Sequence, residues 1–237
     1  MKVLFIVLTT LTLVTSCRFL GGERVRGNGN VVNVQRNVGS FNSIEAGGAV
    51  TVRIKQDDAH LVRVETDENL LDYLDIFTDG NTLMIRTKKG FNLDPSKEII
   101  VYAAAPQFRN LDISGASQLV SDNTISGSEL ELGASGASTI DMDVKVSRLQ
   151  AGLSGASTLE LKGSAERFTT EGSGASNIKC LDLSTEETTL DLSGASNAEI
   201  SANKQLNVDA SGASDVRYRG NANINQKSSG ASSVQKI

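Results

Sequence analysis

The sequence contains few of the residues that fill the core of an ordinary globular domain or that carry out catalysis. Aromatic residues occupy 4% of its 237 positions, tryptophan is absent, and there are two prolines, two cysteines and one histidine. Glycine, by contrast, occurs 22 times. Together with frequent Val, Ile and Leu, this composition favours thin stacked β-strands over a bulky core. The length suits one or two domains.

Positive charge is also scarce and is not clustered. Lys and Arg number 23 against 28 Asp and Glu, which gives a formal net charge of −5. The chain has no basic stripe that could follow a phosphate backbone, so nucleic acid is not an expected partner.

The second half of the chain contains seven copies of the tetrapeptide Ser-Gly-Ala-Ser. Successive copies are 18–21 residues apart, because they begin at residues 114, 135, 154, 173, 193, 211 and 229. A spacing this constant is typical of a stacked repeat, in which each unit contacts only its neighbours.

Aligned on the tetrapeptide, the repeats alternate polar and apolar positions. The residue directly after it is always polar, and the residue two after its last Ser is always apolar, from Leu119 in the first copy to Val234 in the last. The residue four after it is mostly apolar and includes Met142, Leu161 and Cys180. This alternation is the pattern of a half-buried strand.

Short strands at this period predict an all-β fold with a right-handed parallel β-helix, or β-solenoid, in which each repeat of 18–21 residues forms one coil. The glycine of each tetrapeptide is expected at a coil corner, where a positive φ carries no Cβ penalty. These corners are Gly115, Gly136, Gly155, Gly174, Gly194, Gly212 and Gly230. The Ser hydroxyls are expected to bond backbone groups of the turn or each other along the stack.

The residues before the repeats predict a less regular β-rich part at 31–113, ahead of the repeats at 114–237. Gly47-Gly48 indicates a tight bend, and Asp79-Gly80-Asn81 is a hairpin signal. Residues 67–74 carry a helical spacing of at most two turns, with Asp67 placed to cap it.

Two further stretches of this half contain no strand pattern. Residues 90–96 indicate a loop, and the Gly- and Asn-rich segment 17–30 is expected to be a flexible tether.

Residues 1–16 predict a lipoprotein signal peptide. Lys2 gives a positive start, and Val3–Val14 is an apolar run too short to span a bilayer permanently. The following Ser16-Cys17 completes a sequence that resembles the bacterial lipobox, in which Cys17 is lipidated and becomes the mature N-terminus. An ordinary secretory signal with a chance Cys is the alternative. The residues after Cys17 are not acidic, which indicates the outer membrane by resemblance to lipoprotein sorting rules and leaves the leaflet open.

A lipidated Cys17 leaves Cys180 without a partner for an intrachain disulfide. Because Cys180 lies in an apolar column with no nearby His, we expect a buried structural thiol rather than a nucleophile. The single histidine, His60, follows Asp57-Asp58 in a turn and is expected to be a solvated surface residue.

Four segments of the N-terminal half carry a family resemblance. Residues 34–44, 48–52, 67–72 and 80–85, followed by the Ser-Gly-Ala-Ser repeats, resemble the head GIN domain family of putative auto-transporter adhesins, over roughly residues 31–235. The resemblance implies β-helical coils and an adhesin function in an envelope or secreted protein of Bacteroidetes-type bacteria. It brings no known catalytic or binding residues.

Three groups of polar residues in the repeats are candidates for chemistry. Asp141 and Asp143 could contribute to a calcium site, although further oxygen ligands are missing. A charge ladder between coils is predicted from one column of alternating sign, formed by Glu160, Lys179, Glu199 and Arg217. A polar file that could bind an ordered surface such as glycan or ice, but that is better explained as a structural row, is formed by Thr139, Thr158, Asn177 and Asn197.

The sequence therefore predicts a non-enzymatic, lipid-anchored envelope protein that presents a β-helical face to a glycan or protein ligand. No catalytic, cofactor-binding or metal residue is predicted. A carbohydrate-active β-helix enzyme is the first alternative, although Phe168 and Tyr218 are the only aromatic residues of the repeats. A purely structural envelope component is the second. The last coil ends without a capping segment, so its edge is expected to pair in a homo-oligomer or to be covered by the chain itself.

Overall fold

The computed structural model describes residues 22–237, which form an all-β fold. Its strands are β1 (Glu23–Arg26), β2 (Val31–Arg36), β3 (Ser43–Gly48), β4 (Thr51–Gln56), β5 (Leu61–Asp67), β6 (Leu74–Asp79), β7 (Thr82–Thr87), β8 (Phe91–Asp94), β9 (Ile100–Ala105), β10 (Asn110–Gly115), β11 (Gln118–Ser121), β12 (Ile125–Ala134), β13 (Thr139–Leu153), β14 (Thr158–Gly172), β15 (Asn177–Leu192), β16 (Asn197–Ala210), β17 (Asp215–Arg219), β18 (Asn223–Ser228) and β19 (Ser233–Lys236). A 3-10 helix at Glu68–Tyr73 is the one helical element in this range.

The repeats form a parallel β-solenoid of about seven turns, as predicted. Strands one coil apart pair in parallel, such as β13 with β14 and β14 with β15. Thr139 therefore lies beside Thr158, and Thr158 beside Asn177. Equivalent repeat positions thus form columns that run along the solenoid axis.

The apolar columns predicted from the alignment form the core. From Leu119 to Val216, the column two residues after the tetrapeptide is at most 1% exposed. The next column is buried from Met142 to Ile200. Strands that lead into the corners add Leu149 and its equivalents in the neighbouring coils. The predicted alternation is confirmed, and its buried side supplies the main stabilising term of the fold.

Each tetrapeptide bends the chain between two strands. Its glycine has a φ of 73–79° in all seven copies, in the left-handed region that favours glycine. A Cβ on Gly155 would lie 2.4 Å from the carbonyl oxygen of Gly136 in the preceding coil. The Ala156 amide donates to that same carbonyl at 2.7 Å. Glycine therefore lets the backbones of adjacent corners touch.

The last serine of each tetrapeptide closes the turn from inside. Ser157 is fully buried, and its hydroxyl donates to the Ser154 carbonyl at 2.8 Å. The same bond recurs in the other six copies at 2.7–2.9 Å. The sequence predicts that the hydroxyls bond either the backbone of the turn or each other along the stack. The last serine does the first of these.

One further corner lacks the tetrapeptide. Gly48 has a φ of 111°, and the Ala116 amide donates to its carbonyl at 2.7 Å. Because β3 pairs in parallel with β10 and β4 with β11, this coil is stacked on the first tetrapeptide coil. Val50, which is 2% exposed, takes the place of the inward serine. The bend predicted at Gly47-Gly48 is thus a coil corner.

Antiparallel strands close the N-terminal end of the stack. β7 and β9 add one parallel layer beside β3 and β4. β6 then pairs antiparallel with β7, and β5 with β9. The β6–β7 connection confirms the hairpin predicted at residues 79–81. The outer edges of β7 and β9 are therefore covered at this end.

Residues 23–30 belong to the folded domain, which differs from the flexible tether predicted for 17–30. β1 pairs in parallel with β8, a strand inside the predicted loop at 90–96. Arg24 and Asp94 form an ion pair at 2.8 Å. The glycines of this segment permit close packing rather than flexibility, since a Cβ on Gly27 would fall 2.1 Å from a carboxylate oxygen of Asp67.

The remaining predictions for the N-terminus lie outside the described residues. They are the rest of the tether up to residue 21, the lipidation site Cys17 and the signal peptide at 1–16.

Asp67 does not cap the 3-10 helix as predicted, because its side chain makes no capping bond. It is buried instead, and it accepts hydrogen bonds from the Gly29 amide at 2.7 Å and from the Ser96 amide and hydroxyl at 2.8 and 2.6 Å. Burial opposes ionisation, but these hydrogen bonds outweigh it and lower the pKa of the carboxyl. Asp67 thus joins three segments that are distant in sequence.

Candidate binding surfaces

Two faces of the solenoid meet at the corners and carry variable side chains. The pre-corner face consists of the outward side chains of residues 43–47, 110–114, 131–135, 150–154, 169–173, 189–193, 207–211 and 225–229. The post-corner face consists of the outward side chains of residues 51–55, 118–121, 139–143, 158–162, 177–180, 197–201, 215–219 and 233–236. Adjacent coils are about 4.8 Å apart, so neighbours in a column can interact.

The post-corner face carries charges of both signs. Glu160, Lys179, Glu199 and Arg217 are consecutive partners in the strand register, as the predicted charge ladder requires. Arg217 lies 3.6 Å from Glu199, and Lys162 lies 3.7 Å from Glu160 on the same strand. Exposed pairs of this kind each contribute about 0–1 kcal/mol. The charges of this face largely neutralise one another.

The predicted polar file lies on the same face. Thr139, Thr158, Asn177 and Asn197 are successive partners in the register. The Asn197 side-chain amide donates to the Asn177 side-chain carbonyl at 3.3 Å. Side chains that bond each other along the stack support the structural row rather than a ligand-binding one.

Asp141 and Asp143 do not converge with other ligands. They lie beside Glu160 and Lys162 of the next coil. Within residues 22–237, no group of three or more His, Cys, Asp or Glu side chains is placed to hold a metal ion. The geometry therefore gives the calcium hypothesis no support.

His60 is exposed, as expected for a residue of the surface. Its Nδ1 accepts a long hydrogen bond of 3.5 Å from the Phe41 amide, and the two rings pack edge to face with centroids 5.3 Å apart. These contacts explain His60 as a side chain that covers Phe41.

Cys180 and Phe168 both lie inside the solenoid and are each 1% exposed. Burial raises the pKa of the Cys180 thiol to about 12, so it stays protonated at neutral pH. The buried structural thiol is confirmed. Phe168 is covered by neighbouring coils and is therefore unable to stack against a sugar at the surface.

The pre-corner face differs from the post-corner face in the sign and pairing of its charges. It carries six exposed carboxylates, which we call the acidic face: Glu45, Asp112, Glu131, Glu171, Asp191 and Asp209. Among the residues that the structure describes, none of the six is in an ion pair within 4.0 Å. Lys227 is the one cation of this column and lies beside Asp209 at its C-terminal end, so the charge of the face is predominantly negative.

Five of these carboxylates share one column. Glu45 lies beside Asp112 in the register, and Glu171, Asp191 and Asp209 are partners in three successive coils. Like charges at this spacing repel one another. The face is thus arranged in a way that costs stability in the isolated protein.

A depression of about 670 Å³ lies in the middle of the acidic face. Gly133 and Gly152 form part of its floor and interrupt the column between Asp112 and Glu171. A Cβ on Gly152 would meet no atom within 4 Å. Among the described residues, no aromatic or basic side chain lines the depression. Partial shielding from water raises the pKa of Asp112.

The acidic face is missing from the sequence predictions, although the alignment holds its signal. The position two before each tetrapeptide is Asp112, Gly133, Gly152, Glu171, Asp191, Asp209 and Lys227 in order. The predictions used the columns after the tetrapeptide, and the two glycines interrupt the acidic run. The extension to Glu45 depends on the stacking of β3 beside β10, which no local pattern reveals.

The sequence of residues 40–222 matches the family described as "Putative auto-transporter adhesin, head GIN domain". The chain belongs to this family. The matched range includes the coil of β3 and β4 and six of the seven tetrapeptide corners. The head GIN resemblance of the sequence is thereby confirmed, and the family description indicates an adhesin-like protein of the cell surface or envelope.

Solved structures share the fold of this head GIN protein. A "putative adhesin" from Bacteroides fragilis has a TM-score of 0.84 at 17% identity, over 90% of this chain and 100% of that one. A "Putative lipid binding protein" from Parabacteroides distasonis has a TM-score of 0.77 at 19% identity, over 91% and 100% of the two chains. A "putative adhesin" from Parabacteroides merdae has a TM-score of 0.75 at 20% identity, over 91% and 99%. At these identities the likeness shows the fold alone.

Two further comparisons give negative results. No curated protein matches the sequence significantly. Within residues 22–237 there is no helix with the length and apolar character needed to cross a bilayer.

Proposed function

We propose that this head GIN protein is a non-enzymatic, lipid-anchored envelope protein that binds a macromolecular ligand on the side of its solenoid, as an adhesin does. The observation that carries the proposal is the acidic face, an ordered array of six exposed carboxylates that form no ion pair with any side chain of residues 22–237. The stacked strands fix the backbone positions of these carboxylates before a ligand binds, and such preorganisation favours affinity. The adhesin description of the family supports the same function.

The ligand is best sought with the lipid-free mature protein on an array of glycans and extracellular matrix proteins. We expect saturable binding to at least one member at micromolar concentration or below. An array in which nothing binds above a β-solenoid control of similar net charge would contradict adhesion.

The anchor at Cys17 is proposed from the lipobox-like sequence. Metabolic labelling with a palmitate analogue should label the wild-type protein, and Cys17→Ser should abolish the label and release the protein from the membrane fraction. Cys180→Ser is the matched control and should keep the label. Label retained in Cys17→Ser would contradict the anchor. Density fractionation of the envelope then tests the proposed outer-membrane location.

A carbohydrate-active enzyme has less support. Glycoside hydrolases place two carboxyl groups about 5–10 Å apart around the scissile bond, and sugar sites are usually lined by aromatic rings. The depression of the acidic face has the carboxylates, but no aromatic side chain from residues 22–237 lines it. Release of oligosaccharides from a polysaccharide panel, lost in Asp112→Asn or Glu171→Gln, would favour the enzyme over the adhesin.

We also propose that the C-terminal edge pairs with a second copy of the chain. Within the described residues, β18 and β19 each pair with one strand, β16 and β17 respectively. All six residues of β18 are exposed, and Ile224 and Ile237 are 39% and 60% exposed. Open strand edges with apolar side chains favour pairing between chains.

Self-association through this edge is measurable by sedimentation. The wild type is expected to form a dimer whose fraction grows with concentration, and Ile224→Lys is expected to shift it to the monomer. A wild type that stays monomeric at high concentration would contradict the pairing.

A further inference from the structure

We infer that the acidic face binds an extended basic polypeptide segment, whose Lys or Arg side chains lie opposite Asp112 and Glu171. This inference rests on the proposed binding function and names the class of partner. The partner is a protein segment rather than a glycan or a metal ion.

The sign and pairing of the charges select a cationic partner. Within residues 22–237 the six carboxylates form no ion pair, whereas the carboxylates of the post-corner face include Glu160 and Glu199, both paired. A basic ligand would replace repulsion within the column by attraction, and would be steered towards this face from solution. Acidic glycans would be repelled. Neutral sugars would lack the aromatic surface that usually holds them.

The spacing of the carboxylates argues against a single bound cation. Metal sites need several oxygen ligands within about 2.0–2.6 Å of one point. The carboxylates of the acidic face are instead spread along the solenoid axis, and residues 22–237 contain no group of three or more that could hold a metal ion. A partner with several separated positive charges fits this distribution better.

The shape of the depression suits an extended chain. The backbone positions of Asp112 and Glu171 are three coils apart, which corresponds to about 14 Å. In an extended strand, residues i and i+4 point to the same side and lie about 13 Å apart. Lysines with this spacing would lie opposite these two positions, where the Asp112 carboxylate leans over Gly133 and the floor at Gly152 is open to the chain between them.

The walls of the depression offer hydrogen-bonding groups to the backbone of such a chain. One wall carries Gln150 and Thr169, and the other carries Ser154 and Ser173. Amide and hydroxyl groups can bond peptide N–H and C=O groups irrespective of side-chain identity. The site therefore recognises spacing of charge more than a specific sequence.

The probe is a fluorescent nine-residue peptide of alternating Lys and Thr, and the same peptide with Glu in place of Lys is its control. Binding to the lipid-free mature protein is followed by fluorescence anisotropy at physiological ionic strength. We expect the Lys peptide to bind saturably and the Glu peptide not to bind. Equal behaviour of the two peptides would overturn the inference.

Two variants test whether the peptide occupies the acidic face. The triple variant Asp112→Asn, Glu171→Gln, Asp191→Asn should weaken binding about tenfold or more. Its matched control is Asp141→Asn, Glu160→Gln, Glu199→Gln, which removes the same three charges from the post-corner face and should change binding about twofold or less. Equal losses in both variants would show general charge attraction and overturn the inference.

A third variant blocks the depression without changing its charge. At Gly152 a Cβ would meet no atom within 4 Å, so Gly152→Tyr projects a bulky side chain into the depression and should also weaken binding about tenfold. Asn197→Tyr on the post-corner face is its control and should have no effect. Far-ultraviolet circular dichroism and the thermal midpoint establish that each variant is folded. A folded Gly152→Tyr protein with unchanged affinity would overturn the inference.

The same variants separate this inference from the proposed function. An array ligand that binds the wild type and the triple variant alike would overturn the inference and leave adhesion intact. An array without any ligand would contradict adhesion, whatever the peptide does. An array hit on a basic protein that is lost in the triple variant would support both.

Discussion

The tetrapeptide coils and the N-terminal cap, which comprises β1, β2, β5, β6, β8 and the 3-10 helix, are stabilised by different kinds of contact. In the coils one arrangement recurs, because each corner glycine touches the previous corner and each inward serine bonds its own turn. In the cap, a single buried carboxylate joins three segments. The coils are therefore most sensitive to added atoms, and the cap is most sensitive to lost hydrogen bonds.

The sharpest test of the coils adds atoms at a corner. Gly155→Val places a side chain at a φ of 73° and 2.4 Å from the Gly136 carbonyl oxygen. Neither backbone can withdraw without breaking the bond between the Ala156 amide and that carbonyl. We expect destabilisation of about 4 kcal/mol or more, measured by urea unfolding.

The control for this change lies three residues earlier on the same coil. A Cβ on Gly152 meets no atom within 4 Å, so Gly152→Ala should alter the free energy of unfolding by about 0.5 kcal/mol or less. Equal unfolding midpoints for Gly155→Val and Gly152→Ala would show that corner contact does not limit stability.

The matching test of the cap removes charge without adding volume. Asp67→Asn weakens the bonds from Gly29 and Ser96 and should destabilise the protein by about 2–3 kcal/mol. Asp72→Asn, an exposed position in the 3-10 helix, is the control and should be nearly neutral. If Asp67→Asn lowers the free energy of unfolding no more than Asp72→Asn does, the hydrogen bonds of Asp67 do not hold the cap together.

The pH dependence of stability gives a second readout for Asp67. Its pKa is lowered in the folded protein, so its contribution is fully present above the pKa of the unfolded chain and is lost as the pH falls through the folded value. The wild type should therefore lose its advantage over Asp67→Asn in the acidic range below the usual Asp pKa. If the difference in stability between the wild type and Asp67→Asn stays constant through that range, the ionised carboxylate of Asp67 is not the source of the stabilisation.

The difference between the repeated contacts of the coils and the single contacts of the cap explains which features the sequence could predict. The corner at Gly155 and the buried column from Leu119 follow from local spacing that recurs in every copy. The cap has no such repetition, since the role of Asp67 depends on Gly29 and Ser96, which are 38 and 29 residues away. β3 also pairs with β10 and β7, which follow it at a distance in the chain, so the stacking order is not the sequence order.

A smaller loss of stability is expected when the inward serine bond is removed from only one of the seven corners. Ser157→Ala loses the bond from the Ser157 hydroxyl to the Ser154 carbonyl and should cost about 1 kcal/mol. Ser154→Ala, at an exposed position of the same tetrapeptide, should cost less than about 0.5 kcal/mol. The corner at Val50 already lacks an inward hydroxyl, so the fold tolerates this loss at one coil. Equal urea midpoints for the two variants would show that the serine bond does not stabilise the coils.

The smallest effect is expected at Asp112, whose pKa is shifted in the opposite direction to that of Asp67. The pKa of Asp112 is raised because its carboxyl is partly shielded from water. Its ionisation therefore opposes folding, so its favourable contribution is present at low pH and is lost as the pH rises through the folded value. Asp112→Asn should slightly raise the urea midpoint at neutral pH and leave it unchanged at acidic pH. Asp143→Asn, on the post-corner face, is the control for the removal of one exposed charge. A lowered midpoint at neutral pH would mean that Asp112 has a stabilising partner within the chain, and the acidic face would no longer present an unpaired charge to a basic ligand.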